Sequence, residues 1–246
     1  MRGSPGRSRW RTVGIIGGMG PAATVDFMAR LVAATPASTD QQHIPVVVWS
    51  DPTVPDRVAA ARRQGASPVP WMRAGVEGVT QLGAQVVAVA CNTAHAFLEE
   101  STAGVDVEVV SMVDASAVAL AALGADLPAP PRALVLGTRG LLEVGLYQDA
   151  LAAEDLGVLV PDEAEQARLS ALILRVKAAE PAAALAGELA EFTRAFAARG
   201  ATHVLLACTE LSLLASEAAR TGVEFALPVV DASDELARAV VRAAGR

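Results

Sequence analysis

The sequence lacks the features that would build a membrane span, a disulfide framework or a nucleic-acid interface. No apolar run approaches the roughly 18 residues that a membrane-spanning helix needs. Two cysteines in 246 residues cannot form a disulfide scaffold, and nothing indicates export, so we expect both thiols to be reduced in the cytoplasm. The net charge of -7 argues against a nucleic-acid partner, because phosphate binding requires a basic face.

Lysine and aromatic residues are also scarce. Lys177 is the one lysine among 20 basic residues. A bias toward arginine codons explains why lysine is scarce, but it does not explain why a lysine is present at this position. Aromatic residues make up 4% of the chain and apolar residues 52%, with alanine and valine dominant. This composition favours a closely packed, layered α/β protein with a full core, in one large domain or in two of about 120 residues each.

Short apolar runs alternate with longer helical patterns along the chain. Apolar strands that are each followed by a helix are typical of parallel sheets covered on both faces. Residues 1–11 are basic but precede no apolar signal segment, so we interpret them as a loose tail. The predicted strands are Thr12–Ile16, Val46–Trp49, Gln85–Ala90, Glu108–Val110, Ala133–Leu136, Gly157–Val160, His203–Ala207 and Pro228–Val230. The main predicted helices are Pro21–Ala33, Asp56–Gln64, Pro70–Leu82, Leu141–Glu154, Glu163–Ala178, Pro181–Arg199 and Ala232–Ala244.

The two halves of the chain repeat one pattern. Each opens with a strand and a glycine loop, and each later has a strand that ends in Ala-Cys. Cys91 lies 73 positions after Gly18, and Cys208 lies 71 positions after Gly137. We therefore predict two similar parallel-sheet α/β domains related by a pseudo-twofold axis, with the active site in the cleft between them. The predicted domains are residues 12–118 with 224–246, and residues 119–223, with a proline- and alanine-rich connection over 124–132.

Cys91 and Cys208 both lie where a predicted buried strand gives way to a helix. Backbone N–H groups at a helix start favour an anion, so this placement predicts a lowered thiol pKa. Either cysteine alone could be a small buried hydrophobic residue. Two in matching positions, each followed by polar residues, indicate chemistry. A thiol pair suits racemisation, because one group removes the Cα proton from one face and the other returns a proton to the opposite face.

Other charged and polar residues are candidates for contact with a substrate. Arg57 follows a proline-rich loop at a predicted helix start, where its planar guanidinium matches a carboxylate, and Lys177 ends a predicted helix. For each of them, a solvated surface charge is the alternative. The hydroxyls of Thr93, Thr138 and Thr209 follow predicted strands, where they either bind a substrate or cap helices.

A glycine-rich segment points to a different function. Residues Gly18–Ala23 match the dinucleotide-binding pattern between a strand and a helix, and Asp51 ends the next strand, where a ribose-binding carboxylate would lie. This pattern predicts a nicotinamide-dependent oxidoreductase. A lone match of this kind is weak, and it leaves the paired cysteines unexplained.

The three histidines do not predict a metal site. His43, His95 and His203 are scattered, and no cysteine and histidine spacing suits zinc. His95 lies one helical turn after Cys91, where it either tunes that thiol or is an ordinary polar residue of the helix.

Six motifs occur in order from about Thr12 to the end of the chain. They are Gly17-Gly-Met-Gly-Pro-Ala-Ala-Thr24, Pro52-Thr-Val-Pro-Asp-Arg57, Cys91-Asn-Thr-Ala-His95, Val160-Pro-Asp-Glu163, Val176-Lys177 and Cys208-Thr-Glu210. Together they resemble the aspartate/glutamate racemase superfamily, and most closely its aspartate racemase branch. The glycine-rich first loop and Cys-Thr-Glu favour that branch, since glutamate racemases usually carry Asp-Ser-Gly and Cys-Thr-His. One departure is Thr53, which stands where relatives often have glutamine.

The resemblance implies a two-domain α/β enzyme, commonly a homodimer, that racemises a small acidic amino acid without pyridoxal phosphate or metal. It implies Cys91 and Cys208 as the acid/base pair, and Arg57 and Lys177 as ligands of the substrate carboxylates. The residues implied for the substrate site are Met19, Thr53, Arg57, Asn92, Thr93, Ala94, Thr138, Lys177, Thr209 and Glu210.

The motifs and the thiol pair lead to one prediction, a cytoplasmic and cofactor-independent aspartate racemase with no membrane or nucleic-acid partner. Three alternatives stay open. The substrate is glutamate or another acidic amino acid, the protein binds such an acid without turnover, or it is an NAD(P)-dependent oxidoreductase.

Overall fold

The computed structural model describes residues 9–124 and 131–246, in which eight strands form two parallel sheets. The strands are β1 Val13–Gly17, β2 Val46–Ser50, β3 Val86–Val89, β4 Glu108–Val110, β5 Arg132–Gly137, β6 Gly157–Leu159, β7 His203–Ala207 and β8 Val229–Asp231. The sheet orders are β2-β1-β3-β4 and β6-β5-β7-β8, so the two halves share one topology. The predicted fold class is confirmed. The predicted tail up to residue 8, and residues 125–130 of the predicted connection, lie outside the described residues.

Eleven α-helices lie in the described residues. The longer ones carry local start signals, such as Pro21 in the first turn of α1 and the reciprocal hydrogen bonds between Asp162 and Glu165 at the start of α8. The helices are α1 Pro21–Ala34, α2 Arg57–Ala61, α3 Val69–Gln81, α4 Leu98–Thr102, α5 Met112–Gly124, α6 Arg139–Val144, α7 Leu146–Ala153, α8 Glu163–Lys177, α9 Ala182–Ala197, α10 Thr209–Thr221 and α11 Ala232–Ala244. None of these helices is long and apolar enough to cross a membrane.

One part of the helix prediction differs from the structure. The single helix predicted over Leu141–Glu154 is wrong, because Gly145 has φ 83° and separates α6 from α7. This left-handed conformation is one that glycine adopts without steric cost. The helix expected directly after Cys208 is α10, for which the sequence analysis gave no bounds, since its apolar residues alternate irregularly with small and acidic ones.

Apolar residues form three layers around the sheets. Alternate strand residues point to opposite faces, so Ile15 contributes to the layer between the sheets and Ile16 to the outer layer of the first sheet. Leu134 contributes to the outer layer of the second sheet. The layer between the sheets contains α1, α5, α7 and α11, and it joins both halves into one continuous core.

The last helix of each half packs against the other half. Helix α5 follows β4 of the first sheet but contacts α7 and β8, while α11 follows β8 of the second sheet but contacts α1, β3 and β4. The segment 224–246 therefore contributes β8 to the second sheet and α11 to the first half. The domain limits at residues 118 and 223 stay predictions.

A buried ionic network connects α1 to the second half. The Arg30 guanidinium lies 3.0 Å from Asp231 Oδ2 and donates hydrogen bonds to the Ser212 carbonyl and the Ser216 hydroxyl. Burial raises the pKa of Asp231 to about 6, against the opposing effect of Arg30. In an unfolded chain the Asp231 carboxyl would lose its proton near pH 4, whereas in the folded protein it keeps the proton up to a higher pH.

This raised pKa makes a prediction for Asp231→Asn. Wild type is stabilised by the protonated carboxyl below about pH 4, and this contribution is lost as the pH rises through about 6. The difference in unfolding free energy, wild type minus variant, should therefore fall by on the order of 3 kcal/mol between pH 4 and pH 7. Urea unfolding across this range measures it. Asp234→Asn, which removes a more exposed partner of Arg30, is the control, and a pH-independent difference for Asp231→Asn would contradict the prediction.

Candidate active site

The carboxyl ends of β3 and β7 meet at a shared cavity. Cys91 lies just beyond β3, and Cys208 directly follows β7 and precedes α10. Both cysteines line one cavity of about 310 Å³, counted with its opening. Both are buried and neither is in a disulfide. The full lining is Met19, Asp56, Arg57, Val58, Cys91, Asn92, Thr93, Thr138, Lys177, Cys208, Thr209 and Glu210.

The cavity brings together all but two of the residues implied by the motifs. Thr53 is exposed outside the lining, where its hydroxyl donates a 2.6 Å hydrogen bond to Asp51 Oδ1. Ala94 is also outside the lining, but its backbone N–H lowers the pKa of the nearby Cys91 thiol. The sequence analysis did not single out Asp56 or Val58. The helix-start position of Asp56 was the available signal.

Local hydrogen bonds position Cys91 through its backbone. His95 Nδ1 lies 2.9 Å from the Cys91 carbonyl, and His95 Nε2 accepts a 3.0 Å bond from the Met112 N–H. Nε2 is thus unprotonated and Nδ1 carries the proton. Burial lowers the pKa of His95, which favours this neutral form. His95 therefore connects the Cys91 turn to the start of α5 and is a positioning residue.

Glu210 dominates the surroundings of Cys208. The Cys208 thiol donates a 3.1 Å hydrogen bond to Glu210 Oε2, and the Thr209 hydroxyl donates to the same oxygen at 3.3 Å. The other carboxylate oxygen, Oε1, lies 3.8 Å from Lys177 Nζ. Lys177 thus reaches the cavity as predicted, but a buried carboxylate already compensates its charge.

The expected lowering of the thiol pKa values is wrong for this structure. Burial raises the pKa of Cys91, and the nearby cations Arg57 and Lys177 oppose that effect. Burial also raises the pKa of Cys208, well above its ordinary value, and the charge and hydrogen bond of Glu210 raise it further. Desolvation outweighs the helix-start effect at both sites. The two thiols are therefore unequal, with Cys91 the easier to ionise.

Arg57 is held rigidly at the cavity wall. Asp56 caps α2 by accepting hydrogen bonds from the N–H groups of Val58 and Ala59. The adjacent Arg57 guanidinium donates to the carbonyls of Val54 and Pro55 at 2.9 Å, and to the Met19 carbonyl at 3.1 Å. These three bonds fix the plane of the guanidinium. An exposed surface arginine would lack such fixed bonds to backbone carbonyls.

Two hydrogen bonds cross between the halves at the cavity. The hydroxyls of Thr93 and Thr138 are 2.9 Å apart. The buried Tyr147 hydroxyl, from α7, donates to Asn92 Oδ1 and thereby fixes which way the Asn92 amide points. Burial raises the pKa of Tyr147, so it remains a donor. It is the one tyrosine of the chain, and the sequence analysis did not single it out.

Two donors on the cavity wall have no hydrogen-bond partner within the described part of the chain. They are Arg57 Nε and Asn92 Nδ2, and both are buried. A buried donor without an acceptor costs about 1–3 kcal/mol. A carboxylate in the cavity would supply acceptors for such donors, so their placement favours an anionic ligand.

Packing within the protein explains the dinucleotide-like glycines. Gly18 has φ 87°, and a Cβ at this residue would lie 2.4 Å from the Asp51 backbone. The carboxylate of Glu210 lies next to Gly20 at the start of α1. A Cβ at Gly20 would be 3.5 Å from Glu210 Oε1. A pyrophosphate at this helix start would meet a negative charge, so the site does not suit a dinucleotide. Nor do the described residues contain any group of three or more His, Cys, Asp or Glu that could hold a metal ion.

Comparison with known proteins agrees with this geometry. The family model described as Asp/Glu/Hydantoin racemase matches residues 16–240. The chain belongs to this family. The family predicted from the motifs is thereby confirmed.

Individual relatives cover almost the whole chain. The broad-specificity amino-acid racemase RacX of Bacillus subtilis (strain 168) is 26% identical over 93% of this chain and 96% of its own length. The aspartate racemase of Picrophilus torridus is 29% identical, with a TM-score of 0.76 over 96% of this chain and 94% of its own. The glutamate racemase isoform RacE1 of Bacillus anthracis shares the fold, with a TM-score of 0.65 at 16% identity over 94% of this chain and 80% of its own.

The unequal thiols make a prediction for alkylation. With iodoacetamide at increasing pH, Cys91 should be modified at a lower pH than Cys208. Glu210→Gln removes the negative charge that raises the Cys208 pKa, so it should shift Cys208 modification to lower pH. Peptide mass spectrometry measures both sites, and Glu163→Gln, an exposed change on α8, is the control. Unchanged or slower Cys208 alkylation in Glu210→Gln would count against the Glu210 effect.

Proposed function

We propose that this protein is an amino-acid racemase that needs no cofactor and uses Cys91 and Cys208 as its two acid/base groups. The observation that carries the proposal is the position of two buried thiols at matching strand ends in a single cavity. Membership of a racemase family supports the reaction class. The orphan donors Arg57 Nε and Asn92 Nδ2 support a substrate carboxylate held beside the thiols.

The proposed proton transfers start from an ionised Cys91 and a protonated Cys208. The Cys91 thiolate takes the Cα proton, and the negative charge left on the substrate spreads onto its carboxylate, where hydrogen-bond donors stabilise it. The Cys208 thiol then gives its proton to the opposite face of Cα. The products are the other enantiomer, a Cys91 thiol and a Cys208 thiolate. The opposite enantiomer reacts by the same steps in reverse.

The starting state returns when Cys208 regains a proton from solvent and Cys91 releases one. Glu210 favours this return, because its charge disfavours a Cys208 thiolate. Glu210 therefore sets which thiol is protonated before the substrate binds. This role differs from the substrate-binding role that the motifs imply for Glu210.

Aspartate is the substrate that we propose to test first. Arg57 and Lys177 both lie at the cavity, as the motifs imply for a dicarboxylic amino acid, although Glu210 already compensates the charge of Lys177. The 29% identity to an aspartate racemase supports the same choice. Glutamate and other amino acids follow, since one relative is named for broad specificity. A homodimer and a cytoplasmic location stay predictions from the sequence.

The deciding experiment follows Cα exchange of L-aspartate in D2O by proton NMR, with chiral chromatography and no added cofactor. A two-base enzyme should give D-aspartate that carries deuterium at Cα, while the remaining L-aspartate is still protonated at early times. Equal early labelling of both enantiomers would instead indicate a single base.

Cysteine variants test the roles of the two thiols. Cys91→Ala and Cys208→Ala should each reduce racemisation at least about 10³-fold, because each removes one obligatory proton carrier. Thermal unfolding of each variant checks that it is folded. Full racemisation by either folded variant would refute the two-thiol mechanism, and ligand-induced stabilisation of wild type without turnover would support a silent binding protein.

A further inference from the structure

A second, larger cavity opens next to the catalytic one. This groove lies between the start of α1, the end of α8 and one face of α10, and it measures about 1320 Å³ with its opening. Arg57, Lys177 and Glu210 line both the groove and the catalytic cavity, so the two spaces meet at these residues. The catalytic cavity, at about 310 Å³, is the smaller of the two.

A small residue, Gly20, lies where the two spaces adjoin. Gly20 lines the groove, and a Cβ at this position would lie 3.5 Å from Glu210 Oε1, in ordinary contact with the carboxylate. Any larger side chain at this residue would therefore extend into the junction. A substrate side chain directed from the thiols toward the groove would pass beside this glycine.

The groove walls are suited to a neutral, apolar chain. Ala22, Val176, Ala182 and Leu213 contribute apolar surface. The acidic groups at the far end are already paired, Glu180 with Arg175 and Glu217 with Arg220, each at 2.6 Å. At the junction, Lys177 is compensated by Glu210. A second substrate carboxylate would thus find no uncompensated lysine there, while methylene groups would gain apolar contacts.

We propose that the substrates include monocarboxylic amino acids with unbranched apolar side chains of four or more carbons, and that the side chain occupies this groove. The inference rests on the proposed racemase function and names a substrate class for the same site. Ala22, Val176 and Leu213 then determine specificity, while Cys91 and Cys208 act on the Cα proton whatever the side chain.

A chain-length series tests the proposal with L-2-aminobutyrate, L-norvaline, L-norleucine and L-aspartate in the deuterium exchange assay. Burial of each methylene is expected to raise kcat/KM by up to about fourfold. Ala22→Phe fills the groove, so it should lower the ratio of kcat/KM for norleucine to that for aspartate at least tenfold. Ala29→Phe, an exposed change on the same helix outside the groove, should leave this ratio within about twofold.

A thermal-shift measurement with norleucine separates failure of the groove from failure of the racemase. The groove proposal is overturned if aspartate is exchanged but norleucine is not, or if Ala22→Phe leaves the ratio of kcat/KM for norleucine to that for aspartate unchanged. Either result leaves the racemase proposal in place. If no amino acid is exchanged but norleucine stabilises wild type and Ala29→Phe more than Ala22→Phe, the racemase proposal falls and the groove remains a binding site. If no amino acid is exchanged and norleucine does not stabilise the protein, both the racemase proposal and the groove proposal are overturned.

Discussion

The apolar layer between the two sheets is the contact on which the rest of the structure depends. It contains α1, α5, α7 and α11, and two of these helices cover the half to which their preceding strand does not belong. Burial of this layer fixes the position of one sheet relative to the other. Because β3 and β7 then end at the same place, two strand ends that are far apart in sequence form one cavity.

The backbone symmetry of the halves does not extend to their charges. The residue two positions after Cys91 is Thr93, and the residue two positions after Cys208 is Glu210. The first makes a hydrogen bond across to Thr138, while the second accepts a hydrogen bond from the thiol. A repeated fold thus provides two equivalent positions, and the different charges around them, Arg57 near Cys91 and Glu210 beside Cys208, make the two thiols unequal in acidity.

Most of the fold and the site could be predicted from the sequence, because they rest on local patterns. Buried parallel strands are apolar runs, and Ala-Cys at two strand ends marks the cavity directly. The helix break at Gly145 was missed because glycine at a helix end and glycine within a helix look alike without the backbone angles. Thr53 was placed in the site by resemblance, whereas its hydroxyl binds Asp51 instead.

The thiol acidity and the role of Tyr147 could not be predicted because they depend on the tertiary structure. A strand-to-helix position favours a thiolate, but the opposing desolvation depends on how completely both halves enclose the sulfur. The contact between Tyr147 and Asn92 joins residues of different halves. The pairing of Lys177 with Glu210 is likewise a contact between separate helices, and the motifs gave no sign of it.

The exchanged helices also affect the order in which the chain can fold during synthesis. Helix α11 is the last secondary-structure element, yet it packs against α1, β3 and β4, which are made early. The first sheet therefore keeps an uncovered apolar face until α11 has been synthesised and has left the ribosome. Contacts of such large sequence separation slow folding and prolong the exposure of that face. The nascent first half is consequently exposed to aggregation for as long as this face stays uncovered.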